Sequence, residues 1–499
     1  MKNKLLIIAV IIFVTFDLYI IYAEFFHSPI KDKYLREGIL TELNLEHEIN
    51  DKKRPNKSDL EELTELFYVS DLSNEKEVQT LKGLQHAKNL KHLTVTGNEV
   101  ANIKPLKKLT QLETLNLSYF TGDESGGGFG LPENRIEDIS LLEQMTELKK
   151  LHLSGQQIKD FSPLEKLPQL EELYLTDNSL DEIPQEIAQL EQLKVLYLAG
   201  NSIDDLTPIE NLNHLKRLNI NEHDVKDLSP LSDKTTLEEL YMINRLSSKE
   251  QRENYFEPLK NLTNLNVLHI HLFDRTNTDF FDNITHLKEA KVRVTDINTL
   301  SFIQPLDQLE KLTIDDQHST IESIEALSDK KQLKDLNIAS SNITSIKPLQ
   351  HLSHLERLDL SFNPVESMEP IKKLSRLKEL NVASTHLHSL DFIGDLTELE
   401  VLNASTNDIS SIDPLKELDH LKTLLIFDNK ITDLSPLKHL DSLEAVALMN
   451  NQISTLEPLN NLPNLDTIMI EGNPVAENIS DLQTFQSQND SLHIDRLND

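Results

Sequence analysis

Two histidines one residue apart, His269 and His271, with Asp274 and Asp279 just downstream, are the nearest this sequence comes to a reactive cluster. Strand alternation would put both imidazoles on one face. A metal site needs three or four ligands at set geometry, so the expectation here is no resident metal. The second candidate is the glycine-rich run 120–133, FTGDESGGGFGLPE, which holds five of the chain's 12 glycines. Such loops cradle phosphate when Lys-Ser/Thr follows and a helix opens there. Neither happens, which leaves a surface loop or a binding loop projecting from a rim. Without cysteine there is no thiolate nucleophile, thiolate metal site or disulfide. No H-E-x-x-H, G-x-S-x-G or P-loop pattern occurs, and carboxylate pairs carry no signal among 83 Asp and Glu. The expectation is a non-enzymatic chain without cofactor. A net charge of −34 argues against a nucleic-acid partner, which would need clustered Lys and Arg.

What remains is recognition, and its candidate residues acquire a common address from an internal repeat. Units begin at Leu90, Leu112, Leu148, Leu170, Leu193 and onward to Leu465, and 12 of the 16 intervals are 22 residues long. A degenerate unit starts at Leu63, giving about 18. The unit at Leu421 shows the full pattern: Leu421, Leu424, Ile426, Asn429, Ile431, Leu434, Pro436, Leu437, Leu440. Apolar residues at positions four and six have the strand period and point inward. Asn at position nine can both donate and accept where the chain leaves the strand; Gln156, His223, Ser341 and Thr385 replace it in some units. Pro at position sixteen suits the start of a helical turn. No unit can bury its apolar face alone, so the units must stack, with their strands in one parallel sheet.

Positions three, five and seven then face away from the core. Position five places His152, Tyr174, Tyr197, Tyr241 and His269 in one stripe, with His271 beside them at position seven. Exposed aromatic side chains on a rigid sheet anchor a partner with little entropy lost, and these six are the candidate ligand-binding residues. The competing reading is that Tyr suits strands and stacks on its neighbours. Leu425, Phe427, Ala447, Met449 and Met469 form a second patch, which could face a partner or bury against the C-terminal tail. Units between 237 and 332 are irregular: one carries extra residues including Arg245, Arg252 and Tyr255, and the next has Phe273 in the Asn position.

The repeat resembles that of the internalin-like class of bacterial leucine-rich repeat proteins over roughly residues 30–480. The resemblance implies an α/β solenoid: right-handed and curved, with a concave parallel sheet, short 3-10 or helical turns on the convex side, and a small helical N-terminal cap. Ser28-Pro29 is expected to start a cap helix running towards Leu43, and Ser58-Asp59-Leu60-Glu61 to form a capping box for a second. There is no L-P-x-T-G motif. Ile183-Pro184-Gln185-Glu186-Ile187 is similar to the longer repeats of intracellular scaffolds, which keeps a regulatory scaffold open as an alternative.

Lys2 and Lys4 precede apolar runs Leu5–Phe16 and Leu18–Ala23, interrupted by Asp17. This is the pattern of an export signal, and residues 5–22 are also long enough to span a bilayer. Bulky Tyr22 in the cleavage region favours an uncleaved anchor. The expected organisation is a signal or anchor at 1–26, a helical cap at 27–62, the repeats at 63–475 with the insertion at 120–133, and a tail at 476–499. The expected role is protein recognition by a membrane-anchored or secreted chain of the bacterial envelope; the alternative is an envelope scaffold that works through its rim loops.

Overall fold

The structure, a computed structural model, describes residues 29–45, 55–70, 77–119, 135–243, 254–274, 276–316, 318–460, 462–489 and 492–495. The expected signal or anchor at 1–26, the insertion at 120–133, and Arg245 and Arg252 lie outside the described residues. Among the described residues no helix is long and apolar enough to cross a membrane. The chain divides into two compact units, Met1–Leu246 and Ser247–Asp499.

In the first unit, strands β1 (Glu65–Val69) to β8 (Glu239–Met242) form a parallel sheet in chain order. In the second, β9 (Val267–Phe273) to β19 (His493–Asp495) do the same. Equal positions of successive repeats stay in register even where a repeat is one residue longer: Leu151 faces Leu173, which faces Leu196 and then Leu218, all fully buried. Within each compact unit the aliphatic positions of successive repeats thereby merge into a continuous layer, as stacking requires.

Two local rules bend each unit back. Position eight takes the left-handed conformation in most repeats, with φ values such as +69° at Gly200, +57° at Phe362 and +53° at Asp428, but not in the lengthened strands β9 to β11. At Gly200 a Cβ would come within 2.0 Å of Asp177 Oδ1, so a larger residue there would need the Asp177 side chain to move. The return path is a 3-10 turn, and ten of these turns carry Pro in their first two residues, from Pro105 to Pro458, where the missing N–H goes unused.

Position nine joins one repeat to the one before it. Asn429 donates from Nδ2 to Ala404 O (3.0 Å), and its Oδ1 accepts from Ile409 N (2.9 Å). Asn451 binds Ile426 O and Ile431 N in the same way, and Asn473 binds Leu448 O and Ile453 N. Gln156 reproduces both bonds, to Leu117 O and from Ile136 N. His223 does so through Nε2 to Leu198 O (2.9 Å) and Nδ1 from Ile203 N (3.0 Å), which requires the neutral ring. Thr385 reaches only Val382 O of its own unit, and the buried Ser341 Oγ finds no partner. The ladder therefore weakens at these two positions.

Several details depart from expectation. The first cap helix, α1, spans Lys33–Glu42 and starts at Asp32, whose carboxylate accepts from Tyr34 N and Leu35 N; Ser28-Pro29 does not start it. The second, α2 (Lys57–Glu62), is capped by Asn56, not Ser58: Asn56 Oδ1 accepts from Ser58 N (2.7 Å) and Asp59 Oδ2 accepts from Asn56 N (2.7 Å). The box exists, two residues earlier. The C-terminal tail is not merely polar. It forms helices α3 (Pro474–Glu477) and α4 (Ile479–Gln488), buries Leu482 and Phe485, and adds β19 alongside β18 (Thr467–Met469). In the irregular units, β9, β10 (Glu289–Thr295) and β11 (Lys311–Asp316) are lengthened. Behind them Phe256, Phe280, Phe281 and Phe302 form a chain of ring contacts 4.3–5.6 Å apart. Lys234 and Lys330 fill a slot that is leucine in most units. Each is almost fully buried, with the ammonium bound to a carbonyl of the preceding repeat: Glu210 O for Lys234, and Gln304 O (2.7 Å) for Lys330.

Asn429→Ala strands the buried Ile409 N–H and removes one of two donors to Ala404 O, which keeps Asn407 Nδ2 at 3.1 Å. It is expected to cost about 2 kcal/mol or more in urea unfolding, whereas Asn460→Ala, outside the ladder, should cost much less. Equal costs would show that the ladder bonds contribute nothing particular.

Candidate functional site

Four of the six expected residues lie on the outward face of the first unit, three on consecutive strands and the fourth beyond one intervening strand, all held in register by the repeat. His152 faces Tyr174, Tyr174 faces Tyr197, and Asn219 separates Tyr197 from Tyr241. The rings stack: His152–Tyr174 at 4.0 Å and 24°, Tyr174–Tyr197 at 4.7 Å, and Tyr197–Tyr241 edge-on at 6.1 Å. Strand spacing of about 4.8 Å sets this geometry, since flat rings fill the gap between strands. Asn219 fits between the outer rings fully buried, its Oδ1 accepting from Asn221 N (3.0 Å). The stack ends on a polar group, where Tyr241 Oη donates to Glu239 Oε2 (2.9 Å) and Arg217 Nε lies 3.1 Å from Glu239 Oε1.

The expectation of freely exposed anchors needs correction. Tyr197 is 5% exposed and Tyr241 8%, while His152 and Tyr174 are half-buried. The surface on offer is a rigid, self-packed aromatic platform, open chiefly at its His152–Tyr174 end. Burial lowers the His152 imidazole from 6.5 to about 4, with Glu172 opposing, so the ring is neutral near pH 7.

His269 and His271 belong to the second unit, on β9. Both are buried, at 4% and 9% exposure. His269 Nε2 lies 3.6 Å from Glu289 Oε1, and Lys311 Nζ lies 3.1 Å from the same oxygen. Together they hold the Glu289 carboxyl down to about 2, His269 contributing most and burial opposing. His271 Nε2 meets Thr295 Oγ1 at 3.0 Å and packs its ring 4.2 Å from Phe273. Among the described residues no group of three or more His, Asp or Glu is placed to hold a metal ion.

Three further features of the outward face went unnoticed in the sequence. The residue preceding most strands is Lys or Glu, largely in alternation, and builds an ion-pair ladder: Lys91 and Lys149 flank Glu113 (3.1 and 2.8 Å), Lys288 and Lys334 flank Glu310 (3.6 and 2.5 Å), and Lys422 meets Glu400 (2.6 Å). The two lysines hold the Glu113 carboxyl down to about 2. The signal was present, as Lys and Glu largely in turn at position two. Phe67 (66% exposed) and Val69 project from β1, in a unit too degenerate to align with the rest. Phe362 (60% exposed) occupies a left-handed turn position that most units give to Gly, Ser, Asp or Asn.

Parallel strands in repeated strand–turn–3-10 units, most of them stapled by a buried Asn, define a leucine-rich repeat scaffold. A family model described as a leucine-rich repeat region matches residues 129–348, and one described as leucine-rich repeats (2 copies) matches 331–373 and 419–459. The matched stretches span more than half of the chain, which belongs to the leucine-rich repeat proteins; the resemblance to the internalin-like class is borne out at that level. No curated protein matches the chain. Among solved structures it is similar to an internalin from Listeria monocytogenes, with 22% identity over 88% of this chain and 95% of that one and a TM-score of 0.33. A leucine-rich repeat protein of Leptospira interrogans aligns with 20% identity over 88% and 97% and a TM-score of 0.48. The functional domain of InlJ from Listeria monocytogenes, which includes a cysteine ladder, aligns with 17% identity over 87% and 80% and a TM-score of 0.41.

The lowered His152 gives a pH test with a defined sign. A ring held neutral in the fold binds its proton more readily when unfolded, so its stability contribution is complete above about pH 6.5 and is lost as pH falls towards about 4. The difference in unfolding free energy between the parent chain and His152→Gln should be constant above pH 7 and shrink below 6.5. A difference that does not vary between pH 7 and 4.5 would contradict the buried neutral imidazole.

Proposed function

We propose that this chain is an exported, non-enzymatic recognition protein that binds a protein partner on the outward face of its sheet, centred on His152, Tyr174, Tyr197 and Tyr241. The observation that carries the reading is the four-ring stack. The fold needs no aromatic at position five, where other strands carry Asn116, Asn337 or Asn403. Here the rings are locked by one another and by Asn219 and Glu239, so binding would order little that is mobile. Aromatic groups held this way are efficient anchors. Leucine-rich repeat proteins commonly bind other proteins, which agrees with this reading. His269 and His271 extend the proposal to the second unit, as residues whose fixed rings shape the face beside Glu289.

Export rests on the basic-then-apolar start of the chain. Lys2 and Lys4 followed by Leu5–Phe16 is a signal pattern, and residues 5–22 serve as anchor if uncleaved. The intact protein is then held at the cell membrane with its repeats outside. Signal cleavage would release it.

The test is a binding screen of the purified chain against envelope and host surface proteins, followed by the Tyr174→Ala/Tyr197→Ala/Tyr241→Ala variant. For a partner found on this face, affinity should drop by about a hundredfold, the scale of losing two or three aromatic anchors. Full affinity in a variant that still folds would place the site elsewhere.

A further inference from the structure

The outward face of the second unit changes character in a single strand step. On the strands Asp335–Asn337, Arg357–Asp359, Glu379–Asn381 and Val401–Asn403, position five is Asn337, Asp359, Asn381 and Asn403. Each of these side chains accepts from the backbone N–H two residues on. On β16 (Thr423–Leu425), β17 (Ala445–Ala447) and β18 the same position is Leu425, Ala447 and Met469. Position three, charged in most strands, becomes Thr423, Ala445 and Thr467. Position seven brings Phe427 and Met449. Backbone and register are unchanged across the step, so the fold does not dictate the switch. Nor do the described residues of the C-terminal tail cover this face: its helices pack Leu482 and Phe485 inward, and β19 continues the sheet edgewise, while Met469 stays 37% exposed, Leu425, Phe427 and Met449 are half-buried and Ala447 is buried.

The charge ladder stops at the same place. Lys422 is its last lysine and pairs back to Glu400. Beyond it Glu444 and Asp466 are exposed, and among the described residues no ion pair reaches either. At the other ends of these strands stand Asp428, which accepts from Asn450 Nδ2 (2.7 Å), and Glu471. An apolar centre is thus bracketed by carboxylates on both sides.

We infer that the face of β16–β18 is a second docking surface, and that its occupant is a protein segment presenting aliphatic or aromatic side chains flanked by Lys or Arg. Apolar contact with adaptable Met side chains supplies the attraction, and the acidic brackets select the flanks. The same charge argues against other occupants. A second copy of a chain of net charge −34 would set acid against acid, and an anionic lipid surface would be repelled.

The test uses the intact chain and three labelled peptides, followed by fluorescence anisotropy. One has a Leu-Phe-Leu centre between paired lysines, one has the same centre between paired glutamates, and one has a Ser centre between lysines. The first should bind saturably, with the other two weaker by about tenfold or more. Leu425→Asn/Met469→Asn installs the residue that Asn403 already places at this position, so an unchanged urea midpoint is expected together with an about tenfold loss for the first peptide. Glu444→Gln/Asp466→Asn should weaken binding and flatten its salt dependence. Tyr174→Ala should leave it unchanged, so that failure here and failure of the aromatic-platform reading are distinguishable. The inference is overturned if the lysine-flanked peptide does not bind, if it binds the Asn variant equally, or if the glutamate-flanked peptide binds as well. It is also overturned if the Asn variant abolishes self-association in sedimentation or partition onto phosphatidylcholine vesicles, which would make a second copy or a lipid surface the occupant.

Discussion

Each repeat of this protein has an unfinished polar account. Where the strand turns off, a carbonyl at position six and an N–H at position eleven point into an apolar interior, and the repeat that owns them cannot satisfy both. The position-nine side chain of the following repeat does so, as Asn429 does for Ala404 O and Ile409 N. A buried unpaired group of this kind costs about 1–3 kcal/mol. The ladder therefore makes each unit depend on its successor, and with the shared aliphatic layer it turns marginal units into a stable stack. His223 shows that the requirement is one donor and one acceptor at set positions, not asparagine itself.

That dependence explains how much of the fold was legible. The strands, the proline-led turns and the inward leucines follow from a 22-residue period that repeats one physical solution. Gaps in legibility fall where a residue does an unfamiliar job. Asn56 caps α2 because its carbonyl oxygen reaches two N–H groups, which Ser58, one residue inside the helix, cannot do. Lys234 and Lys330 sit in leucine slots because their aliphatic stems pack while the ammonium meets a carbonyl. A hydropathy pattern reads both as breaks. The C-terminal strand His493–Asp495 is made by pairing with β18, not by any period of its own.

The outward face was legible only in part, and for a different reason. Which residues share it follows from alternation, so the stripe of His152, Tyr174, Tyr197 and Tyr241 was placed correctly. How exposed they are depends on what their neighbours do across 4–6 Å, and there the rings cover one another. The net charge of −34 is not spread evenly over this face. Locally, lysine and glutamate largely alternate from repeat to repeat, the face is close to neutral along the ladder, and uncompensated acid stands out beside β17 and β18. Exposed pairs contribute little to stability; in the proposed reading they bear on which partner the face admits.

The fold therefore reduces to a stapled support that leaves positions three, five and seven free to vary, and the proposed recognition falls on those positions. The most direct measurement is site-specific photo-crosslinking in intact cells, with a benzophenone amino acid placed singly at Tyr174, Asn337 and Leu425 on the sheet face and at Lys347 on a 3-10 turn. The expected result is a discrete protein adduct from Tyr174 or Leu425 and none from Lys347. Adducts from Lys347 alone, with the sheet-face positions silent, would contradict recognition through this face.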